Sequence, residues 1–238
     1  MSAPRRRLAL AAILAASAAV FAFLYGREHA PAAPERHPDL MLLTSLPLVF
    51  PEEFALAGGG SPTLSALERH FHVIPISATS PADLKRGRLL LMVQPLAQTA
   101  ENLVALDGWV RSGGRVMLLA DPLLEWPSDR PLGDPLRPPA MFMDTGLLAH
   151  WGLTLQGPQA RGPQPRALGD RPVVVISPGA LSGRCAVSAD ALVAHCRVGQ
   201  GEAVVVADAD LADAAVLGAR GPSNLDALVA ELDRLAAR

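Results

Sequence analysis

Apolar residues along this chain fall into two populations. The first is a single run at residues 8–25 (LALAAILAASAAVFAFLY), eighteen positions without a charge, directly after Arg5, Arg6 and Arg7. As a helix it spans about 27 Å, close to the roughly 30 Å hydrocarbon core of a bilayer. The basic flank predicts that the N-terminus stays in the cytoplasm and the remainder is exported. The expected organisation is a basic start at 1–7, a transmembrane signal anchor at 8–26, a Pro/Ala-rich linker at 27–38 and an exported domain at 39–238. Cleavage as a signal peptide near Ala30-Pro31-Ala32 is the competing expectation; the apolar run is longer than a usual signal core.

The second population consists of short apolar runs separated by helical spacings. Residues 39–45, 72–76, 88–93 and 115–120 read as buried strands, with Pro75 placing the second near a sheet edge. Between them, Ser61-Pro62 opens a helix carrying Leu64, Leu67 and Phe71. Thr99 caps another with Leu103, Leu106 and Val110 inward and Gly113-Gly114 as its stop. Strand and helix alternating in this way predict an α/β fold: a three-layer α/β/α sandwich with a mostly parallel sheet. Residues 122–140 form a proline-rich loop, and residues 157–171, rich in Gly, Pro and Arg, read as a second loop. In the last third, 172–176 and 202–207 are strands, and 184–187 and 192–197 pair as an antiparallel hairpin across a turn at 188–191. Ser223 with Asp226 resembles a capping box opening a final helix.

Composition narrows the function classes. Half of the 238 residues are apolar and 18% are charged, which excludes a wholly disordered chain. The formal net charge is −2, but residues 39–238 alone hold sixteen basic and twenty-one acidic side chains. A nucleic-acid partner is therefore not expected. Two cysteines exclude a disulfide-rich scaffold; Cys185 and Cys196 flank the predicted hairpin and could close one disulfide, with the register left open.

The candidate chemistry lies at strand ends, where open α/β sheets bind ligands. There the sequence places Thr44, Ser45, Gln94, Asp121 and Asp208, followed by Asp210 and Asp213. The acidic cluster could bind a divalent cation or serve as turn and cap residues, and the latter accounts better for a chain whose only lysine is Lys85. His70 and His72 would share a strand face without the third and fourth ligands that zinc needs. No G-x-S-x-G, Walker A or G-x-G-x-x-G motif occurs, so neither a catalytic constellation nor a cofactor is expected.

Four segments together resemble a known family: LLTSLPLVFPEEF (42–54), residues 89–122 with their GGRVMLLADP end, LLAHWGLTL (147–155) and VGQGEAVVVADADL (198–211). They are similar to the exported domain of auxiliary proteins of ABC-type transport systems, the group containing the gliding-motility auxiliary component, and to a related bacterial domain. The resemblance implies a flavodoxin-like, class I glutamine amidotransferase-like fold without amidotransferase chemistry. It implies a non-enzymatic accessory domain, anchored in the inner membrane as a single-pass protein with its domain in the periplasm. ABC permease and ATPase subunits are the implied partners. The competing expectation is an exported hydrolase or transferase using Asp121, Asp208 and Asp210.

Overall fold

The computed structural model describes residues 37–50 and 60–238, and His37–Arg238 form one compact unit. The expected anchor at 8–26 and most of the linker lie outside the described residues. Among the described residues no helix is long and apolar enough to cross a membrane.

Among the described residues, eleven strands and five α-helices follow in chain order. They are β1 (Asp39–Thr44), α1 (Pro62–Glu68), β2 (His72–Pro75), α2 (Pro81–Leu84), β3 (Leu89–Val93), α3 (Ala100–Arg111), β4 (Arg115–Leu119), α4 (Leu147–Trp151) and β5 (Leu153–Gln156). Then come β6 (Pro163–Leu168), β7 (Arg171–Ile176), β8 (Ala180–Gly183), β9 (Ala186–Val187), β10 (Val193–Val198), β11 (Gly201–Val206) and α5 (Gly221–Ala236). The main sheet has the order β2-β1-β3-β4-β11-β10-β9. Its core is dictated by apolar runs: all five side chains of β3 are buried, as a strand covered on both faces requires. Leu90 stands between Met41 on β1 and Val116 on β4, and Val116 in turn faces Ala203 on β11.

Short-range chemistry starts and stops the helices. Ser61, Ser80 and Thr99 side chains accept hydrogen bonds from the amides of Leu64, Asp83 and Asn102, and prolines occupy the first turns of α1 and α2. Gly113, at φ +100°, turns the chain out of α3, and a Cβ on Gly114 would strike the Trp109 ring. At the start of β11, a Cβ on Gly201 would strike the carbonyl oxygens of Val110 and Gly114. Glycine there lets the strand and the end of α3 close on each other.

Several expectations need correction. Only β2, β1, β3, β4 and β11 run parallel, five of eleven strands. β10 and β9 are antiparallel additions, and β5–β8 and β6–β7 form two separate two-stranded antiparallel sheets. The predicted mostly parallel, flavodoxin-like or amidotransferase-like three-layer sandwich is thus replaced by a mixed sheet with two small satellites. The cause lies in the last third, where tight turns join neighbouring strands and leave no room for the crossovers that parallel pairing needs. Residues 163–168, expected in a loop, form β6, whose exposed and half-buried pattern hides the strand signal. The final helix starts at Gly221 behind Arg220, so Ser223 is inside it and does not cap it. Cys185 and Cys196 are joined in a disulfide, with Cα atoms 4.8 Å apart.

Candidate active site

The chain leaves β1 for β2 on one side, then returns to β3 on the other. The C-terminal ends of β1 and β3 therefore face a topological switch point, where ligands bind in such sheets. Thr44 closes β1 and its hydroxyl accepts the Leu46 amide at 2.9 Å. The Ser45 hydroxyl donates to the Gln94 carbonyl at 2.5 Å. Both line a hollow of about 330 Å³ whose outer wall, with Arg130 and Arg137, comes from the proline-rich loop.

Gln94 does not join that hollow. It sits immediately after β3, fully buried, with φ +43°, a conformation that non-glycine residues seldom adopt. The surroundings hold it there. Its Oε1 accepts the Asp121 amide at 2.9 Å, and its Nε2 donates to the carbonyls of Asp121 (3.2 Å) and Pro139 (3.3 Å). The side chain thus ties the end of β3 to the end of β4 and to the far limb of the loop.

Asp121, Asp208 and Asp210 gather beyond the ends of β4 and β11, all buried. Asp121 accepts from Leu123 through Oδ1 and from Ala209 through Oδ2, each at 2.8 Å. Asp208 accepts from Leu211 (2.6 Å) and Ile176 (2.9 Å). Asp210 accepts from the Glu125 amide at 2.8 Å through Oδ2, while its Oδ1 has no donor among the described residues. Burial raises all three. Asp121 is pushed up to about 6, burial and the nearby Glu125 charge outweighing its backbone donors. Asp210 is pushed up to about 7 by burial and by the charges of Asp121, Asp213 and Glu125. Asp208 is raised by burial first, then by Asp121 and Asp210. Three carboxyls that cannot all ionise together share this rim.

Two further residues complete it without having been singled out in the sequence. Glu125, from the proline-rich loop, lies at the surface beside the acids, and the Ser177 hydroxyl donates to its Oε1 at 2.6 Å. Ser177 is buried with φ +49° directly after β7, and its oxygen accepts the Gly162 amide at 2.8 Å. A Ser-Pro-Gly following an apolar run was the available signal; the partner in a distant loop had none.

The remaining candidates separate. His72 pairs with Asp39 at 2.8 Å, and His70 stands 3.5 Å from Asp233. Among the described residues no group of three or more His, Cys, Asp or Glu is arranged to hold a metal ion.

No protein-family model matches this chain, and no curated protein does. Solved structures do. An exo-β-1,4-mannosidase from an Opitutaceae bacterium matches 82% of this chain over 36% of its own, at 16% identity and TM-score 0.50. A GH42 β-galactosidase from G. stearothermophilus matches 84% over 30% of its own, at 14% identity and TM-score 0.51. A protein of Salmonella typhimurium described as cytoplasmic matches 83% over 98% of its own, at 11% identity and TM-score 0.50. The chain spans about a third of the length of the two glycosidases, and at these identities the likeness is one of fold.

Two of the similar folds lie within a mannosidase and a galactosidase, so the expected non-enzymatic ABC accessory role is not retained, and the mixed sheet with its two satellites corrects the amidotransferase-like fold. The expected single-pass inner-membrane placement with a periplasmic domain gains no support: among the described residues no helix is long and apolar enough to cross a membrane, and one similar structure is of a protein described as cytoplasmic.

Proposed function

We propose that this chain is a hydrolase acting on glycosidic bonds, with Asp210 as its acid and with burial and the neighbouring Asp121, Asp213 and Glu125 charges raising the proton affinity of that acid. One observation carries the reading: the Asp210 carboxyl is raised to about 7 and keeps Oδ1 without a protein donor, so it holds a proton near neutral pH. A carboxylic acid that is still protonated at the working pH can give its proton to a leaving oxygen. Glu125, exposed and with its main-chain amide on Asp210, serves in this reading as the carboxylate that takes a proton from the attacking water. The balance is simple: water adds across the bond, its proton goes to Glu125, and the Asp210 proton goes to the departing oxygen. The fold's presence within a mannosidase and a galactosidase supports the substrate class.

The test is hydrolysis of p-nitrophenyl β-mannoside and β-galactoside between pH 5 and 9. Wild type should lose activity above pH 7 as the acid deprotonates, and Asp210→Asn should fall by about a hundredfold or more. Absence of turnover on both substrates, or an Asp210→Asn variant at the wild-type rate, overturns the proposal.

A second reading has its own observation. Asp208 accepts two main-chain amides from different segments, Ile176 and Leu211, which is what a residue holding loops together does. Asp208→Asn at an unchanged rate but lower stability would assign it that role.

A further inference from the structure

A further cavity lies away from the acids. Glu202, in its wall, is near the start of β11, whereas Asp208 lies beyond the strand's end, about 20 Å along a chain rising 3.3 Å per residue. The cavity encloses about 770 Å³, within the range of small-ligand sites. Arg184, Arg197, Arg234 and Arg238 line it together with His195 and the disulfide.

Its charges are matched on one side and unmatched on the other. Arg238 Nη1 contacts both oxygens of Glu202, at 2.7 and 2.9 Å. Arg234 pairs with the buried Glu231 and, at 3.2 Å, with Asp170. His195 stands between the two glutamates, its Nδ1 3.4 Å from Glu202 and its Nε2 3.8 Å from Glu231. Each acid facing the cavity therefore already has an arginine. Arg184 and Arg197 have no side-chain acceptor among the described residues. Arg115, in an adjoining hollow that Arg197 and Arg238 share, donates to the Ala236 carbonyl at 2.6 Å. An uncompensated pair of guanidinium groups stands out in a region where acidic side chains outnumber basic ones, twenty-one to sixteen over residues 39–238.

The disulfide sets where these two arginines start. Arg184 immediately precedes Cys185 and Arg197 immediately follows Cys196, and the cysteine Cα atoms are 4.8 Å apart. Arg184 also lies over Gly152, where an added Cβ would come within 2.8 Å of its Nε. A cross-link that fixes both backbones lowers the cost of ordering the side chains around a ligand. Guanidinium forks match tetrahedral oxyanions through paired N–H donors.

We propose that this cavity binds a ligand bearing a phosphate or sulfate group, gripped by Arg184 and Arg197 and preorganised by the Cys185–Cys196 disulfide. This site stands independently of the hydrolase reading, since it shares no residue with the strand-end acids. Titration calorimetry of the full chain with inorganic phosphate, sulfate and acetate at low salt tests it. Phosphate or sulfate should bind more tightly than acetate; whichever of the two is tighter identifies the ester class. Arg184→Ala with Arg197→Ala should weaken that binding by about tenfold or more. The charge-preserving Arg184→Lys with Arg197→Lys should weaken it less, because lysine keeps the charge and loses the fork. The pair Arg69→Ala with Arg86→Ala removes the same charge elsewhere and should leave binding unchanged. No binding of either oxyanion, an equal loss in the Arg69/Arg86 pair, or full binding without Arg184 and Arg197 overturns the proposal.

Discussion

Replacing Asp210 by asparagine should make this protein more stable at neutral pH. The carboxyl titrates near 7 in the folded chain against an ordinary value of 3.8. Between those two values the folded state holds a proton that the unfolded state has released, so stability falls as pH rises. Below 3.8 both states are protonated and the residue contributes nothing. Above 7 both are ionised and the full cost of a buried charge stands. At 1.36 kcal/mol per pH unit, a displacement of about three units gives an upper bound of roughly 4 kcal/mol. Asparagine retains an acceptor for the Glu125 amide and introduces no charge to bury. It also relieves Asp121 and Asp208 of a repelling neighbour. Urea unfolding of both proteins should show near-equal stability at pH 3.5. The variant should gain roughly 1–2 kcal/mol by pH 5 and up to about 4 kcal/mol at pH 8. A pH-independent gap, or a variant that is weaker at pH 8, would refute the account of an acid raised by burial. It would leave Asp210 as an ionised cap for the Glu125 amide.

Other substitutions test other joints. Asn224 on α5 accepts the Val174 amide at 2.9 Å and donates to the carbonyls of Val174 (2.6 Å) and Leu211 (3.2 Å), so Asn224→Ala should cost about 2–4 kcal/mol in chemical unfolding. Cys185→Ser with Cys196→Ser opens a loop of sequence separation 11 and should cost about 3 kcal/mol, seen as a lower Tm in non-reducing buffer. Gly201→Ala drives a Cβ into the Val110 and Gly114 carbonyls; a loss of about 1–3 kcal/mol is expected, and an unchanged Tm would show that α3 and β11 can separate freely.

How far the sequence could be read depends on the kind of signal each element carries. β3 and β4 are continuous apolar runs between helices with serine, threonine and proline starts, and such local chemistry is legible one segment at a time. β6 is not, because its outward face is exposed and prolines interrupt it; only pairing with β7 makes it a strand. The hairpin of β9 and β10 was legible from its turn, yet its consequence for the sheet was not, since pairing direction depends on which strand β10 meets. The same division holds at the site. Strand-end position pointed to Gln94, Asp121 and Asp208, but not to their burial or to the main-chain amides they satisfy. Glu125 and Ser177, 52 residues apart, meet only in three dimensions. Arg184 and Arg197 were hidden for a different reason: an exposed arginine in or beside a strand reads as solvated unless its lack of a partner can be seen.

The outer strands of the main sheet carry a consequence for association. One edge is β2, four residues long and ending in Pro75, which has no amide hydrogen to offer a neighbouring strand. The other is β9, two residues long and running directly into a turn. Between them lie apolar strands that would pair readily with a foreign chain if they stood at a border. Both borders are thus poor templates for strand addition. Contacts this domain makes with other molecules fall to its side chains and cavities, and changes that lengthen β9 or replace Pro75 carry a specific risk of aggregation through newly opened edges.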